Sequence, residues 1–145
     1  YSNDHKVHPW LPKLVKLKKK AEAFYLLLTG KSVRFDVCVV NYYKDGAHNI
    51  GWHADRYSYT HKMKNLTHRD RQEIGKTTPI ASFSLGAKRM FRFRSKTEKE
   101  DRCRIELESG SLLIMENCCQ ELYTHALPKS PGITEGRLNL TFRAT

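Results

Sequence analysis

The chain has 145 residues, with 26 lysines and arginines against 15 aspartates and glutamates and a formal net charge of +11. That length suits one domain with one sizeable core, and the charge favours a polyanionic partner or an anionic surface. No stretch is long and apolar enough to span a membrane, and Cys38, Cys103, Cys118 and Cys119 include no Cys-x-x-Cys, so a cysteine zinc knuckle is excluded and free thiols in a reducing compartment are expected.

The chain begins at Tyr1, with no initiator methionine and no signal-like segment, as expected of a piece of a larger protein. "YSNDHKVHPWLP" reads as an extended lead-in. A helix is predicted over residues 11–31: Pro12 suits its first turn, Gly30 its exit, and Leu14, Leu17, Ala21, Phe24 and Leu28 recur at helical spacing. The run Lys18, Lys19, Lys20 reads as a solvated face. "VRFDVCVVNYY" (residues 33–43) is a predicted strand with Val33, Phe35, Val37, Val39, Asn41 and Tyr43 on one face, and "KDGAHN" turns it. In "IGWHADRY" (residues 50–57), His53 and Asp55 stand two apart. An extended backbone aims such a pair to one side, giving two-thirds of a metal site or two ordinary polar residues on a loop.

Residues 56–79 carry no apolar period and read as a long basic loop or lid. Strands resume with "IASFSLG", "KRMFRFRS", "RCRIELE", "SGSLLIM", "ELYTHAL" and "RLNLTFR", with "KTEKED" a charged turn. One helix followed by seven or eight short strands predicts a mainly β, double-sheet antiparallel fold such as a jelly roll.

The last strand alternates strictly, Leu138, Leu140 and Phe142 on one face, Arg137, Asn139, Thr141 and Arg143 on the other. A solvated polar face would make it an ordinary half-exposed strand. If that face instead converges with Asn41 and Tyr43 inside the fold, the polar groups need partners, and a small dicarboxylate supplies them through arginine's planar fork. His125, in "LYTHALPK", offers a third metal ligand. Two histidines and a carboxylate leave open positions on an octahedral iron. Zinc can use the same trio, but the arginine pair favours iron with an oxo-acid. His5, His8, His48, His61 and His68 are the competing ligands.

The stretches "NYYKDGAHNIGWHAD", "IASFSLGAKRMFRFR", "SGSLLIM", "YTHALPK" and "RLNLTFR" resemble the AlkB family of Fe(II)- and 2-oxoglutarate-dependent dioxygenases, nearest its nucleic-acid alkylation-repair branch. The resemblance runs from Asn41 to the C-terminus and implies a double-stranded β-helix, or jelly roll, with an N-terminal supporting helix. It implies Fe(II) held by His53, Asp55 and His125, and 2-oxoglutarate lined by Asn41, Tyr43, Arg137, Asn139 and Arg143. Arg137 with Tyr43 would take the distal carboxylate. Arg143, helped by Asn41 and Asn139, would sit near the carboxylate that chelates the metal. The implied reaction is oxidative demethylation of N-alkylated bases in DNA or RNA, releasing formaldehyde, succinate and carbon dioxide. The alternative is a protein or small-molecule oxygenase of the same fold.

Substrate contacts are expected at Trp52, at Tyr57 and at Arg89, the last grouped with Lys88, Arg92, Arg94, Lys96 and Lys99 as groups for a phosphate backbone. Residues 1–145 are expected to be a single catalytic core, monomeric and nuclear or cytoplasmic, without the N-terminal nucleotide-recognition lid that the family normally carries. Two further departures concern substrate. Tyr57 occupies a place that is often acidic in base-demethylating relatives, and residues 56–79 make a longer, basic insert.

Overall fold

The computed structural model describes residues 8–55, 78–116 and 118–144. The chain divides into two compact units, Tyr1–Arg34 and Phe35–Thr145. The first contains helix α1 (Pro12–Thr29), with proline in its first turn. It ends where Gly30, at φ 69°, turns left-handed and donates its N–H to the Leu26 carbonyl at 2.9 Å, a stop that glycine adopts at no steric cost. Of its lysine run, Lys19 and Lys20 are exposed, and Lys18 reaches Glu22 at 3.2 Å and lies over the Trp10 ring at 5.8 Å. No helix among the described residues is long and apolar enough to cross a membrane.

The second unit holds eight strands: β1 (Val37–Tyr43), β2 (Ile50–His53), β3 (Ile80–Gly86), β4 (Arg89–Ser95), β5 (Arg102–Leu107), β6 (Leu112–Met115), β7 (Tyr123–Leu127) and β8 (Arg137–Arg143). They form two antiparallel sheets, ordered β1-β8-β3-β6 and β2-β7-β4-β5. This is the double-sheet, jelly-roll architecture expected from the strand count. Most boundaries shift by a residue or more from the sequence reading, and two shifts have a clear cause. β1 starts at Val37, because its partner β8 ends at Arg143, opposite it. Glu121 and Leu122, expected in a strand, belong instead to a helical turn, α2 (Cys119–Leu122), that leads into β7. Cys38, Cys103, Cys118 and Cys119 are free thiols.

Between the sheets, Tyr43, Ile80 and Met115 of the first meet Phe91, Phe93, Leu107 and Leu127 of the second in one cluster. Residues directly opposite across a ladder share a face. Arg143, Thr141, Asn139 and Arg137 lie opposite Val37, Val39, Asn41 and Tyr43 on one side and Ile80, Ser82, Ser84 and Gly86 on the other. The polar row of β8 therefore points between the sheets, and the solvated alternative is corrected: Arg137, Asn139 and Thr141 are all buried. The apolar row faces the other way, with Leu140 and Phe142 buried and Phe35 packed on Phe142 at 6.3 Å between ring centroids.

One end of the sandwich is held by a buried cation. Arg89 donates from its guanidinium to the carbonyls of Asp45 (3.1 Å), His48 (2.9 Å) and Pro128 (2.8 Å), joining the β1–β2 turn to the segment after β7. Gly46 makes that junction tight. It donates to the Ile133 carbonyl and accepts from Ser130 N–H, and a Cβ there would collide with the Ser130 carbonyl.

Candidate active site

The second sheet brings together the trio that could hold a metal ion. β2 and β7 pair so that His53 and His125 are direct cross-strand partners, their ring centroids 4.4 Å apart. Asp55 follows two residues beyond His53, just past the end of β2. One ligand atom from each of His53, Asp55 and His125 lies within 4.8 Å of the others. The Asp55 carboxylate stands 3.6 Å from His53 Nε2 and 3.8 Å from His125 Nε2.

Two of the three residues are held from behind by hydrogen bonds, and the third by packing. His53 Nδ1 lies 2.8 Å from the Gly51 carbonyl, a contact that assigns the proton to Nδ1 and leaves the Nε2 lone pair for a cation. Asp55 N–H donates to Gln120 Oε1 at 2.8 Å, and Gln120 Nε2 in turn donates to Met115 Sδ at 3.4 Å. Asp55 also faces Arg143, whose guanidinium is 3.2 Å from Oδ1. His125 is 3 % exposed and walled by Phe91 and Phe93, with centroids at 5.2 and 5.9 Å.

Charge in the trio follows from these surroundings. Burial pushes the His125 imidazole down to about 4, so it is neutral and has a lone pair to give. The Asp55 carboxylate beside it draws His53 upward. Burial works against the Asp55 carboxylate, yet the nearby His53 imidazole and the Arg143 charge together hold it below its ordinary value. Two neutral-capable imidazoles and an ionised carboxylate, clustered within 4.8 Å, fit a divalent metal that keeps free positions.

The first sheet supplies a cationic wall. Arg137 is 2 % exposed, yet no carboxylate pairs with it among the described residues. It donates to Ser84 Oγ at 2.9 Å and lies over the Tyr43 ring at 5.3 Å, while its Nε has no hydrogen-bond partner. An uncompensated buried guanidinium is costly, and an acidic ligand removes the cost. A dicarboxylate with one end on Arg137 and the other near Arg143 and Asp55 fits this donor set. Asn139 is arranged differently from the expectation. Its amide donates to Ser82 Oγ (2.8 Å) and the Phe83 carbonyl (3.1 Å), and its oxygen accepts from Thr141 Oγ1 (3.1 Å), so it braces β3 against β8. Asn41 lies opposite it on β1.

Among the expected substrate contacts, Trp52 is exposed, with the Arg94 guanidinium stacked 4.3 Å from its ring. Arg89 requires correction: it is 1 % exposed and its fork closes on three loop carbonyls, which puts it out of reach of a phosphate backbone. Tyr57 and residues 56–77 of the basic insert lie outside the described residues. Sequence reasoning missed Ser82 and Ser84, although "IASFSLG" carries the same period-two alternation as β8. It also missed Gln120, which is 65 residues from the aspartate it supports and has no local signal.

The family described as the 2OG-Fe(II) oxygenase superfamily matches residues 1–65 and 57–143. The chain is similar to alpha-ketoglutarate-dependent dioxygenase alkB homolog 3 of Bos taurus, 35 % identical over 142 residues, covering 92 % of this chain and 43 % of the relative. It is also similar to DNA oxidative demethylase ALKBH2 of Homo sapiens, 32 % identical over 142 residues, covering 93 % of this chain and 47 % of the relative. Thus the chain spans less than half the length of these two curated relatives. A solved structure described as "The structure of OsALKBH1" superposes with a TM-score of 0.63 at 26 % identity, covering 94 % of this chain and 67 % of that one.

Proposed function

This chain belongs to the AlkB family within the 2OG-Fe(II) oxygenase superfamily, and from that premise we propose that it catalyses oxidative demethylation of N-alkylated bases in DNA or RNA. The observation that carries the reading is the buried, carboxylate-free Arg137 on the same inner space as the His53, Asp55 and His125 trio. A hydrolytic zinc site has no use for that cation. With dioxygen, Fe(II) and 2-oxoglutarate supply the oxidation: one oxygen atom goes into succinate formed with carbon dioxide, the other into the N-methyl group, which leaves as formaldehyde.

The chain's own residues bind and orient. His53, Asp55 and His125 would hold the metal, with Gln120 and the Gly51 carbonyl fixing two of them. Arg137, with Tyr43 beside it, would take the distal carboxylate of the oxo-acid, and Arg143 would hold negative charge next to Asp55. Phe91 and Phe93 exclude water around His125. The nucleic-acid substrate rests on the net charge of +11 and on relatives named as DNA oxidative demethylases. The same reading treats residues 1–145 as one catalytic core with residues 56–79 as a basic insert at the pocket mouth, acting as a monomer in the nucleus or cytoplasm.

Formaldehyde and succinate released from methylated single-stranded DNA, duplex DNA and RNA, set beside protein extract, test the substrate class. Formaldehyde from at least one nucleic acid is expected. Its absence from all three, with succinate still formed on protein extract, transfers the function to the protein-oxygenase alternative. Arg137→Ala tests the site: the 2-oxoglutarate concentration for half-maximal turnover should rise about tenfold or more while the iron requirement stays put. An unchanged 2-oxoglutarate dependence would remove β8 from the cofactor site.

A further inference from the structure

The outer face of the second sheet holds a charge arrangement that its fold does not need. Phe91 and Phe93 of β4 point inward, so Arg92 and Arg94 point out, and both are exposed. On β5, Arg102 and Arg104 are exposed as well. The ladder sets Arg92 directly opposite Arg104, and Arg94 directly opposite Arg102. Like charges in directly opposed cross-strand positions destabilise a sheet. One position further along the same face the chain shows the ordinary solution, Lys88 paired with Glu106 at 3.2 Å. Among the described residues, no carboxylate closes on any of the four arginines.

The rows lead toward the metal site. In the strand order β2-β7-β4-β5, Thr124, Arg94 and Arg102 form one transverse row, and Ala126, Arg92 and Arg104 form the next. Arg94 Nε donates to Thr124 Oγ1 at 3.2 Å and its guanidinium stacks on Trp52. Trp52 sits on the edge strand β2, immediately before the metal-ligating His53, whose side chain is partly exposed. An arginine-backed indole at a sheet edge is a stacking surface for a base. Arginine forks match phosphate oxygens in geometry as well as charge.

Building on the nucleic-acid reading above, we propose that this outer face, with Arg92 and Arg104 at its centre, is a track for the phosphate backbone of the nucleic-acid strand whose target base enters over β2. The Arg94 and Arg102 row borders a turn carrying Glu98, Glu100 and Asp101 beside Lys96 and Lys99. Arg92 and Arg104 are clear of those acids, which makes them the sharper probe. The opposed arginines then have a functional origin, since the strand's phosphates neutralise a repulsion that the free protein tolerates.

The test uses an unmethylated, fluorescein-labelled single-stranded oligonucleotide, with no cofactor added, and anisotropy titrations across a range of KCl concentrations. The R92Q/R104Q variant should bind about tenfold more weakly and lower the slope of log affinity against log salt by about 1.4, two phosphate contacts' worth. R92K/R104K should recover most of the slope. The unfolding midpoint of R92Q alone should rise, because one repulsive pair is gone. An unchanged slope in R92Q/R104Q, a fallen midpoint in R92Q, or polyglutamate bound as tightly and with the same salt dependence would each overturn the proposal. Because binding is read without catalysis, failure of demethylation leaves this result interpretable.

Discussion

Gln120 carries a prediction that belongs to a single hydrogen bond. Its Oε1 accepts the backbone N–H of Asp55, the one trio member that lies beyond a strand end and is not fixed by ladder pairing. Gln120→Ala removes that acceptor, and Asp55 loses its aim. Metal affinity, read as Mn(II) binding to the free protein, should fall about 10- to 100-fold, the usual effect of losing a group that orients a ligand. Gln120→Glu keeps the acceptor oxygen and should retain more affinity than the alanine variant, a difference that general destabilisation would not produce. Legibility at this scale divides along the same line. His53 and Asp55 were readable because two-residue spacing in an extended chain is a local rule. Gln120 was not, because its partner is 65 positions away and glutamine carries no type signal for such a task.

At the scale of the element, β4 shows how one strand can mislead and inform together. Its alternation of Phe91 and Phe93 with Arg92 and Arg94 correctly gives a two-faced strand. The same pattern hides Arg89, which falls in phase with the phenylalanines and is drawn into the interior by three carbonyls. Arg89→Met keeps the length of the side chain but leaves those carbonyls without their charged donor. A loss of about 3 kcal/mol of folding stability is expected, from the worth of charge-assisted bonds to buried acceptors. The denaturation midpoint in urea should drop with the slope unchanged, and a loss below about 1 kcal/mol would mean that solvent replaces the guanidinium. β8 poses the converse problem. Period two separates its leucines from its arginines, but alternation is symmetric and does not say which face meets the other sheet. The polar face turned inward because Tyr43 and Asn41 stand opposite Arg137 and Asn139. That register is a pairing property, invisible within one strand.

For the molecule as a whole, the consequential division is between the sheets. The trio comes from β2, the residues just after it, and β7, in one sheet, whereas Arg137 and Arg143 come from β8 in the other. A ligand that chelates the metal and also reaches Arg137 therefore adds a tie between two sheets that already meet in the apolar cluster around Phe91, Phe93 and Tyr43 and through the Arg143–Asp55 ion pair. Anything that binds only the folded state raises stability by mass action, about 2.7 kcal/mol at one hundred times its dissociation constant. Mn(II) alone loads one sheet, and 2-oxoglutarate alone meets Arg137 without its second anchor. Supplied together, they should raise the thermal unfolding midpoint by more than the sum of the separate shifts, because each completes the other's site. His53→Ala should abolish that excess while leaving any 2-oxoglutarate shift that is independent of metal, and EDTA should do the same to the unmodified protein. Strictly additive shifts would mean that the oxo-acid does not bridge the sheets, and Arg137 would then need another counter-ion to justify its burial.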